Sequence, residues 1–197
     1  MRIDAEQRRR AIAQVTIDLV ANEGFAAATF RRIAAEGGWS TASITNYFDD
    51  KHDLLVWTFE VLSAEGEVRF DEALRAAGDD PIPPLLTMLP WCPANVRRWK
   101  AYLAFWDAAV RDGELAARLA GSTRVGTQLL ERLVRRACPD APDIRARAQR
   151  LSINIQGLAL HILVDRGNWP EAAIRQTLDD LRRDLLTLYG GNGQGPG

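Results

Sequence analysis

Cysteine, histidine and lysine are all scarce in this 197-residue chain. Cys92 and Cys138 stand alone, with no CxxC spacing and no histidine-rich neighbourhood, which argues against a disulfide framework or a zinc site. The two histidines, His52 and His161, are far apart in sequence. No metal or cofactor is therefore expected. Long hydrophobic runs are missing too: none approaches the roughly 18 residues that a membrane span requires. The opening run Met1-Arg2-Ile3-Asp4-Ala5-Glu6 has no apolar stretch of the signal-peptide kind, so a cytoplasmic address is expected. Nor is there an excess of one charge. Basic residues number 25, of which only Lys51 and Lys100 are lysines, against 26 acidic ones, for a net charge of -1. A nucleic-acid face would have to come from a local arrangement of charge. Residues 1–51 alone balance at seven basic and seven acidic side chains.

What is present is helix signal from end to end, with no stretch that alternates as a strand does. Hydrophobic residues make up 47% of the chain and charged ones 26%, enough for a packed core. Asp4, followed three residues later by Gln7, has the form of a capping box, and Ile12, Val15 and Leu19 mark the buried face of a first helix that ends at Gly24. Thr29 caps a short second helix that Gly37-Gly38 stops. Ser40 caps a third, expected to run through about Tyr47. Asp50-Lys51-His52-Asp53 starts a long helix to about Ala77. The run Gly78-Asp79-Asp80-Pro81-Ile82-Pro83-Pro84 breaks the pattern. Further helices are expected over about 96–112, 114–137 and 143–166, and a last one after Asn168-Trp169-Pro170. The expected division is 1–50 as a first module, 51–77 as a connecting helix, 78–189 as a second functional region, and the glycine-rich 190–197 as a disordered tail.

The first 48 residues carry the chemistry. Three helices, the last two short and joined through Gly37-Gly38-Trp39, form a helix-turn-helix unit whose final helix is thin enough for the major groove. That helix, Ser40 to Phe48, holds no charge. Its hydroxyls, amide and phenol can donate and accept at base edges, while Ile44 and Phe48, four apart, anchor it to the core. Lys51 at a helix start and the helix N-terminus at Thr29 are candidate phosphate contacts. Arg8-Arg9-Arg10 either reaches the DNA backbone or forms the solvated face of the first helix.

The residues Gly24-Phe25, Thr29-Phe30-Arg31-Arg32-Ile33-Ala34, Gly38-Trp39-Ser40, Ile44-Thr45-Asn46-Tyr47-Phe48-Asp49-Asp50-Lys51 and Leu54-Leu55 resemble the N-terminal module of the tetracycline-repressor (TetR) family over about residues 8–60. The resemblance implies that Tyr47 and Lys51 touch phosphates and that Thr41, Ala42, Ser43, Thr45 and Asn46 line the groove. Two positions depart from the family pattern. Trp39 replaces a small aliphatic residue, so the turn packs differently or the indole lies near DNA. Thr45 stands where an aromatic residue is common. Farther on, Trp99-Lys100-Ala101-Tyr102-Leu103-Ala104-Phe105-Trp106 with Leu115 and Leu119 is similar to the BetI-like subgroup, which includes regulators of choline and betaine metabolism.

In the C-terminal region, Trp99, Leu103, Trp106 and Val110 lie along one helix face, with Tyr102 and Phe105 beside it. This stripe is either core or the wall of an effector pocket, which His161 would also line. Aromatic faces can hold a quaternary ammonium, with Asp107 or Asp165 as counter-charge. His161, set among leucines, reads alternatively as a hydrogen-bonded core residue, and His52 as a solvated one. Leu151, Ile155, Leu158 and Ile162, with Leu178, Leu181 and Leu185, are expected either to form a four-helix dimer interface or to be consumed by the chain's own core.

An enzyme is not expected. Gly38-Trp39-Ser40-Thr41-Ala42 has the outline of a Gly-x-Ser-x-Gly elbow, but it follows a helix rather than a strand and ends in alanine. The expected molecule is all-α: an N-terminal helix-turn-helix module plus a C-terminal helical ligand-binding and dimerisation bundle. Its expected partners are a pseudo-palindromic operator, a second copy of itself and a small-molecule effector, without a membrane. A purely structural helical adaptor is the competing reading, and it would lack sequence-selective, salt-dependent DNA binding.

Overall fold

The computed structural model describes residues 4–187, with side-chain surroundings for residues 4–184. Every regular element among them is helical, in the order α1 (Ala5–Glu23), α2 (Phe30–Gly37), α3 (Thr41–Thr45), α4 (Lys51–Ala76), α5 (Ile82–Thr87), α6 (Pro93–Ala109), α7 (Gly113–Ala137), α8 (Ile144–Val164) and α9 (Glu171–Thr187). Single 3₁₀ turns at Phe25–Ala27 and Arg166–Asn168 join neighbours. No described helix is long and apolar enough to cross a membrane. The glycine-rich segment 190–197 lies outside the described residues.

Local chemistry accounts for most helix ends. Asp4 occupies the cap position of α1, but its side chain makes no cap bond, so the expected box with Gln7 does not form. Gly24 closes α1 at φ 84°, a conformation that disfavours any Cβ, and returns its N–H to the Val20 carbonyl. At α4 the box does form, in a variant way. The Asp53 N–H donates to Asp50 Oδ1 at 2.8 Å, while Asp53 Oδ2 accepts from the Asp49 N–H at 3.3 Å. Helix α5 falls inside the stretch that reads as a loop. Pro83 and Pro84 sit in its first turn, where a missing N–H forfeits no helical bond, and Asp80 Oδ1 accepts from the Ile82 N–H at 2.9 Å.

The chain packs as two compact units. One comprises residues up to Glu65 together with Val96–Thr123; the other comprises Gly66–Asn95 and residues from Arg124 on. The first unit has one continuous core. Ile12, Ile17 and Val20 of α1, Ile33 of α2 and Ile44 of α3 meet Leu54, Phe59 and Leu62 of α4, Phe105 of α6, and Leu115 and Leu119 of α7. Phe25 meets Phe105 edge-on at 5.4 Å between centroids, and Phe59 lies 5.2 Å from the same ring. The apolar face of residues 1–50 is thus covered by α4, α6 and α7.

In the second unit Phe70, Leu85, Leu89, Leu130, Leu133, Leu151, Ile155, Ile162, Ile174 and Leu178 are buried. Buried Asn95 closes the turn before α6 by donating from Nδ2 to the Leu89 carbonyl at 2.9 Å and the Thr87 carbonyl at 3.3 Å. Arg147 is 3% exposed on α8, and its Nε donates to Asp143 Oδ1 at 2.7 Å; Arg150 adds a bond to Asp143 Oδ2 at 3.3 Å. The Arg147 hydrogen bond, opposed by desolvation and helped by its charge and by Arg150, holds the Asp143 carboxyl below its ordinary value of 3.8. A carboxylate with a lowered folded-state value contributes stability that is present above its unfolded value and fades as the pH falls through the folded one. Asp143→Asn is accordingly expected to lower the thermal midpoint at pH 7, with the gap to wild type closing below about pH 4. Melting curves across pH 2–7 check this; a gap that stays constant to pH 2 would show that the charge is not what Asp143 contributes.

Candidate nucleic-acid interface

Helix α3 is only five residues long. So short a helix does not persist by its own hydrogen bonds, and its position here comes from its caps and its anchors. The Thr29 hydroxyl oxygen accepts from the Arg32 N–H at 3.2 Å to start α2, and Gly38, left-handed at φ 68° and ψ 31°, ends it. Ser40 Oγ then accepts from the Ser43 N–H at 3.1 Å and lies 3.0 Å from Ser43 Oγ, starting α3 one residue after the turn. Ile44 is fully buried and Phe48 nearly so, which fixes the rotation of α3 about its axis. The helix ends at Thr45 rather than near Tyr47, because Asn46 and Tyr47 tighten into a turn in which the Tyr47 N–H meets the Ile44 carbonyl at 2.9 Å.

With that rotation, Ser40, Thr41, Ala42, Thr45 and Asn46 are exposed, and Ser43 and Tyr47 are half-buried. Their capacities differ. The Thr45 hydroxyl donates to the Ala42 carbonyl at 3.1 Å, which leaves its methyl group and its lone pairs to face outward. Asn46 is exposed and its carboxamide makes no bond within the described chain. A free carboxamide on a groove-sized helix matches the N6/N7 edge of adenine in the major groove.

Several expected contacts are spent inside the molecule. Lys51 Nζ donates to the Phe25 carbonyl at 3.0 Å and lies 5.8 Å from the Phe25 ring centroid. Its ammonium thus spends one of its three donors on the 3₁₀ turn after α1. The arginine triplet divides three ways. Arg10 pairs with Glu6 at 2.9 Å. The Arg9 guanidinium lies over Phe48 at 4.9 Å and over Trp57 at 4.2 Å, bracing the end of the α3 segment. Arg8 sits over the Trp39 indole at 5.3 Å. Trp39 itself packs in the turn, half-buried against the core.

Sequence reasoning passed over two residues here. Arg31, in the first turn of α2, is exposed and makes no ion pair among the described residues, whereas Arg32 is held by Glu23 at 2.7 Å and Glu36 at 3.2 Å. The spacing of Arg32 and Glu36 at i, i+4 is the sequence signal that singles out Arg31. His52, expected to be merely solvated, lies with Nε2 3.3 Å from Glu114 and Nδ1 3.7 Å from Asp112, at the junction of α6 and α7. No sequence signal joins residues so far apart.

The aromatic stripe on α6 splits between core and surface. Phe105 is fully buried between Phe25 and Phe59, which removes it from any pocket wall. Trp99, Tyr102, Leu103 and Trp106 are half-buried; the Trp99 ring stands 6.1 Å from Trp106, nearly perpendicular, and 6.2 Å from Tyr102. Asp107 is exposed and paired with Arg111, so it is not a free counter-charge. Asp165 accepts from Asn168 Nδ2 at 2.8 Å. His161 is exposed on α8 rather than buried among leucines, because the helix turns its neighbours Leu158 and Ile162 inward instead.

Most of the described α8 and α9 stripe packs inward. Leu151, Ile155, Leu158, Ile162 and Leu178 are buried in the chain's own second unit, while Leu181 is half-buried. The Leu185 side chain lies outside the described residues. The apolar side chains that α8 leaves exposed are Ile153, Leu160 and Val164, at 69%, 40% and 88%.

Known proteins share this arrangement. Residues 12–56 match the family model described as bacterial regulatory proteins, tetR family, and residues 85–187 match the one described as BetI-type transcriptional repressor, C-terminal. The HTH-type transcriptional regulator PksA of Bacillus subtilis (strain 168) is 28% identical over 192 residues, covering 93% of this chain and 89% of PksA. The HTH-type transcriptional regulator BetI of Klebsiella pneumoniae (strain 342) is 29% identical over 188 residues, covering 92% and 91%. Among solved structures, a transcriptional regulator from Rhodococcus sp. has a TM-score of 0.79 at 21% identity, covering 90% of this chain and 95% of that one. A regulator from Saccharomonospora viridis, in complex with choline, has a TM-score of 0.73 at 23% identity, covering 89% and 95%.

Anchor and reader separate experimentally. Ile44→Ala is expected to destabilise the fold by about 2–5 kcal/mol through cavity formation, whereas Asn46→Ala should change stability by less than about 0.5 kcal/mol. Urea melts of the two variants distinguish them; equal losses would mean that Asn46 is part of the packing.

Proposed function

The chain belongs to the TetR family of bacterial regulatory proteins, with a BetI-type C-terminal region, and from that membership we propose that it is a cytoplasmic, homodimeric repressor released from its operator by a small molecule. DNA binding and transcriptional regulation come with the family, whose named relatives are regulators and not enzymes. The observation that carries the finer reading is the outer face of α3, where Ser40, Thr41 and Asn46 stand exposed while Ile44 and Phe48 hold the helix fixed. Thr41, Ala42, Ser43, Thr45 and Asn46 read the groove. Ser40, Tyr47, the α2 start at Thr29 and exposed Arg31 meet the phosphates, which position the module without reading sequence. Two such modules read half-sites about 34–36 Å apart, one turn of DNA.

The effector is proposed to be a small organic cation held against Trp99, Tyr102 and Trp106 of α6. Two observations support this: electron-rich faces attract desolvated cations, and the Saccharomonospora viridis regulator is in complex with choline. Helix α6 belongs to the same unit as the reading helices. Arg97 binds Asp18 of α1, Arg98 lies 3.6 Å from Glu65, and the α6–α7 junction meets His52 in the first turn of α4. A ligand that shifts α6 therefore bears on both α1 and α4. It releases DNA only if it binds the non-reading state more tightly, and a near-complete switch asks for about 10⁴-fold.

The dimer face is proposed to be the outer side of α8, where Ile153, Leu160 and Val164 recur at i, i+7 and i+11 with Gly157 between them. A two-fold pair of such faces would bury them isologously.

Salt-titrated binding to the DNA upstream of the protein's own gene, against an unrelated fragment, tests the regulator reading. Selective binding that weakens steeply with salt is expected; an adaptor protein would bind neither fragment selectively. Choline is expected to release the complex and Trp99→Ala to abolish that release. Release by choline in both proteins would remove Trp99 from the site, and no release in either would remove the cation. Val164→Asp is expected to convert the dimer to a monomer in light scattering, and an unchanged mass would place the interface elsewhere.

A further inference from the structure

Trp39 and Arg8 form an arrangement that the operator-reading groups do not account for. Trp39 lies in the turn between α2 and α3, its N–H bonded to the Ala34 carbonyl at 2.8 Å. Its indole is pressed flat on Gly37: a Cβ added there would meet three ring atoms at 2.4–2.8 Å. Over that ring, at 5.3 Å, lies the guanidinium of Arg8 from α1. Arg8 makes no ion pair among the described residues, unlike Arg10, and unlike Arg9 it is not sandwiched between two rings. The charge is held in place yet not neutralised.

We propose that Trp39 is a positioning residue that holds Arg8 for contact with the DNA phosphate backbone beside the entry of α3 into the groove. The proposal rests on the DNA-binding reading above and adds a contact to it. Trp39 immediately precedes Ser40, the N-cap of α3, so a guanidinium seated on its ring flanks the end of the helix that enters the groove first. A cation–π contact consumes no N–H hydrogen bond, so the guanidinium's N–H groups stay free, and that fork matches two phosphate oxygens. Pre-organisation lowers the entropy lost on contact, which otherwise taxes a long surface arginine. Gly37 is required because any side chain there would displace the indole. The triplet Arg8, Gly37 and Trp39 thus acts as a unit, and a small aliphatic residue at position 39 would offer no ring to hold the arginine.

The test is a salt titration of binding to a duplex that the wild-type protein enriches from a random library. Arg8→Ala is expected to reduce the slope of log affinity against log salt by about 1.8, one phosphate for each protomer of the dimer, and to weaken binding about a hundredfold at 0.05 M salt. Gly37→Ala, which removes no charge, and Trp39→Ala are expected to reproduce much of that slope loss, Trp39→Phe to keep the wild-type slope, and the Arg8→Ala, Trp39→Ala double variant to fall no further than Arg8→Ala alone. An unchanged slope for Arg8→Ala overturns the proposal, as does a double variant whose losses simply add. Arg8 is at the surface of α1 and its substitution spares the core, so a folding failure of a Trp39 variant leaves the Arg8 titration decisive. A wild-type protein that enriches no duplex would instead overturn the DNA-binding reading itself.

Discussion

A helix of five residues is almost all ends: nearly every one of its backbone groups belongs to a first or last turn, and water competes for each of them. That is the condition of α3, and much of the first unit can be understood as the means of holding it. Ser40 satisfies the start, Ile44 and Phe48 insert into a core built by α1, α4, α6 and α7, and the Arg9 guanidinium clamps Phe48 against Trp57. Each support is contributed by a different element. The outer face of α3 can therefore be polar and uncharged, since apart from the Ser40 cap the helix is held by its inward side chains.

The same unit is economical with positive charge. Its basic and acidic residues balance, and the structure goes further by binding several of the cations internally. Glu6 takes Arg10, Glu23 and Glu36 take Arg32, Asp18 takes Arg97, and the Phe25 carbonyl takes Lys51. An undirected basic surface would hold any nucleic acid through phosphate alone. Among the described residues Arg8 and Arg31 keep no ion pair, Arg31 in the first turn of α2 and Arg8 over the ring that precedes α3.

Helix α6 has two faces with different duties. Phe105 closes the core of the reading unit with Phe25 and Phe59, while Trp99 and Trp106 remain half-exposed on the same helix. A displacement of α6 cannot leave the packing around Phe105 untouched, because close-packed interiors transmit strain instead of absorbing it. The half-exposed aromatic face and the core of the first unit thus share one helix. The contacts of Arg97 with Asp18 and of His52 with Asp112 and Glu114 add polar links along the same route.

Periodicity and local capping determined, from the sequence by itself, that the chain is all helical, where α1 to α4 start, that Ile44 and Phe48 point inward, and which family the first 60 residues resemble. These properties rest on contacts within four residues, and such contacts are written in residue order. Tertiary structure decided what periodicity leaves ambiguous. An apolar stripe faces something, but only the packed chain says what. It sent Leu151, Ile155, Leu158 and Ile162 into the monomer core and left Ile153, Leu160 and Val164 outside, buried Phe105 while half-exposing Trp99, and turned Lys51 toward Phe25. It also brought Arg8 to Trp39 and His52 to Glu114 across gaps of 31 and 62 positions in the chain. Pairings of this kind depend on how helices cross, and no local pattern encodes the crossing.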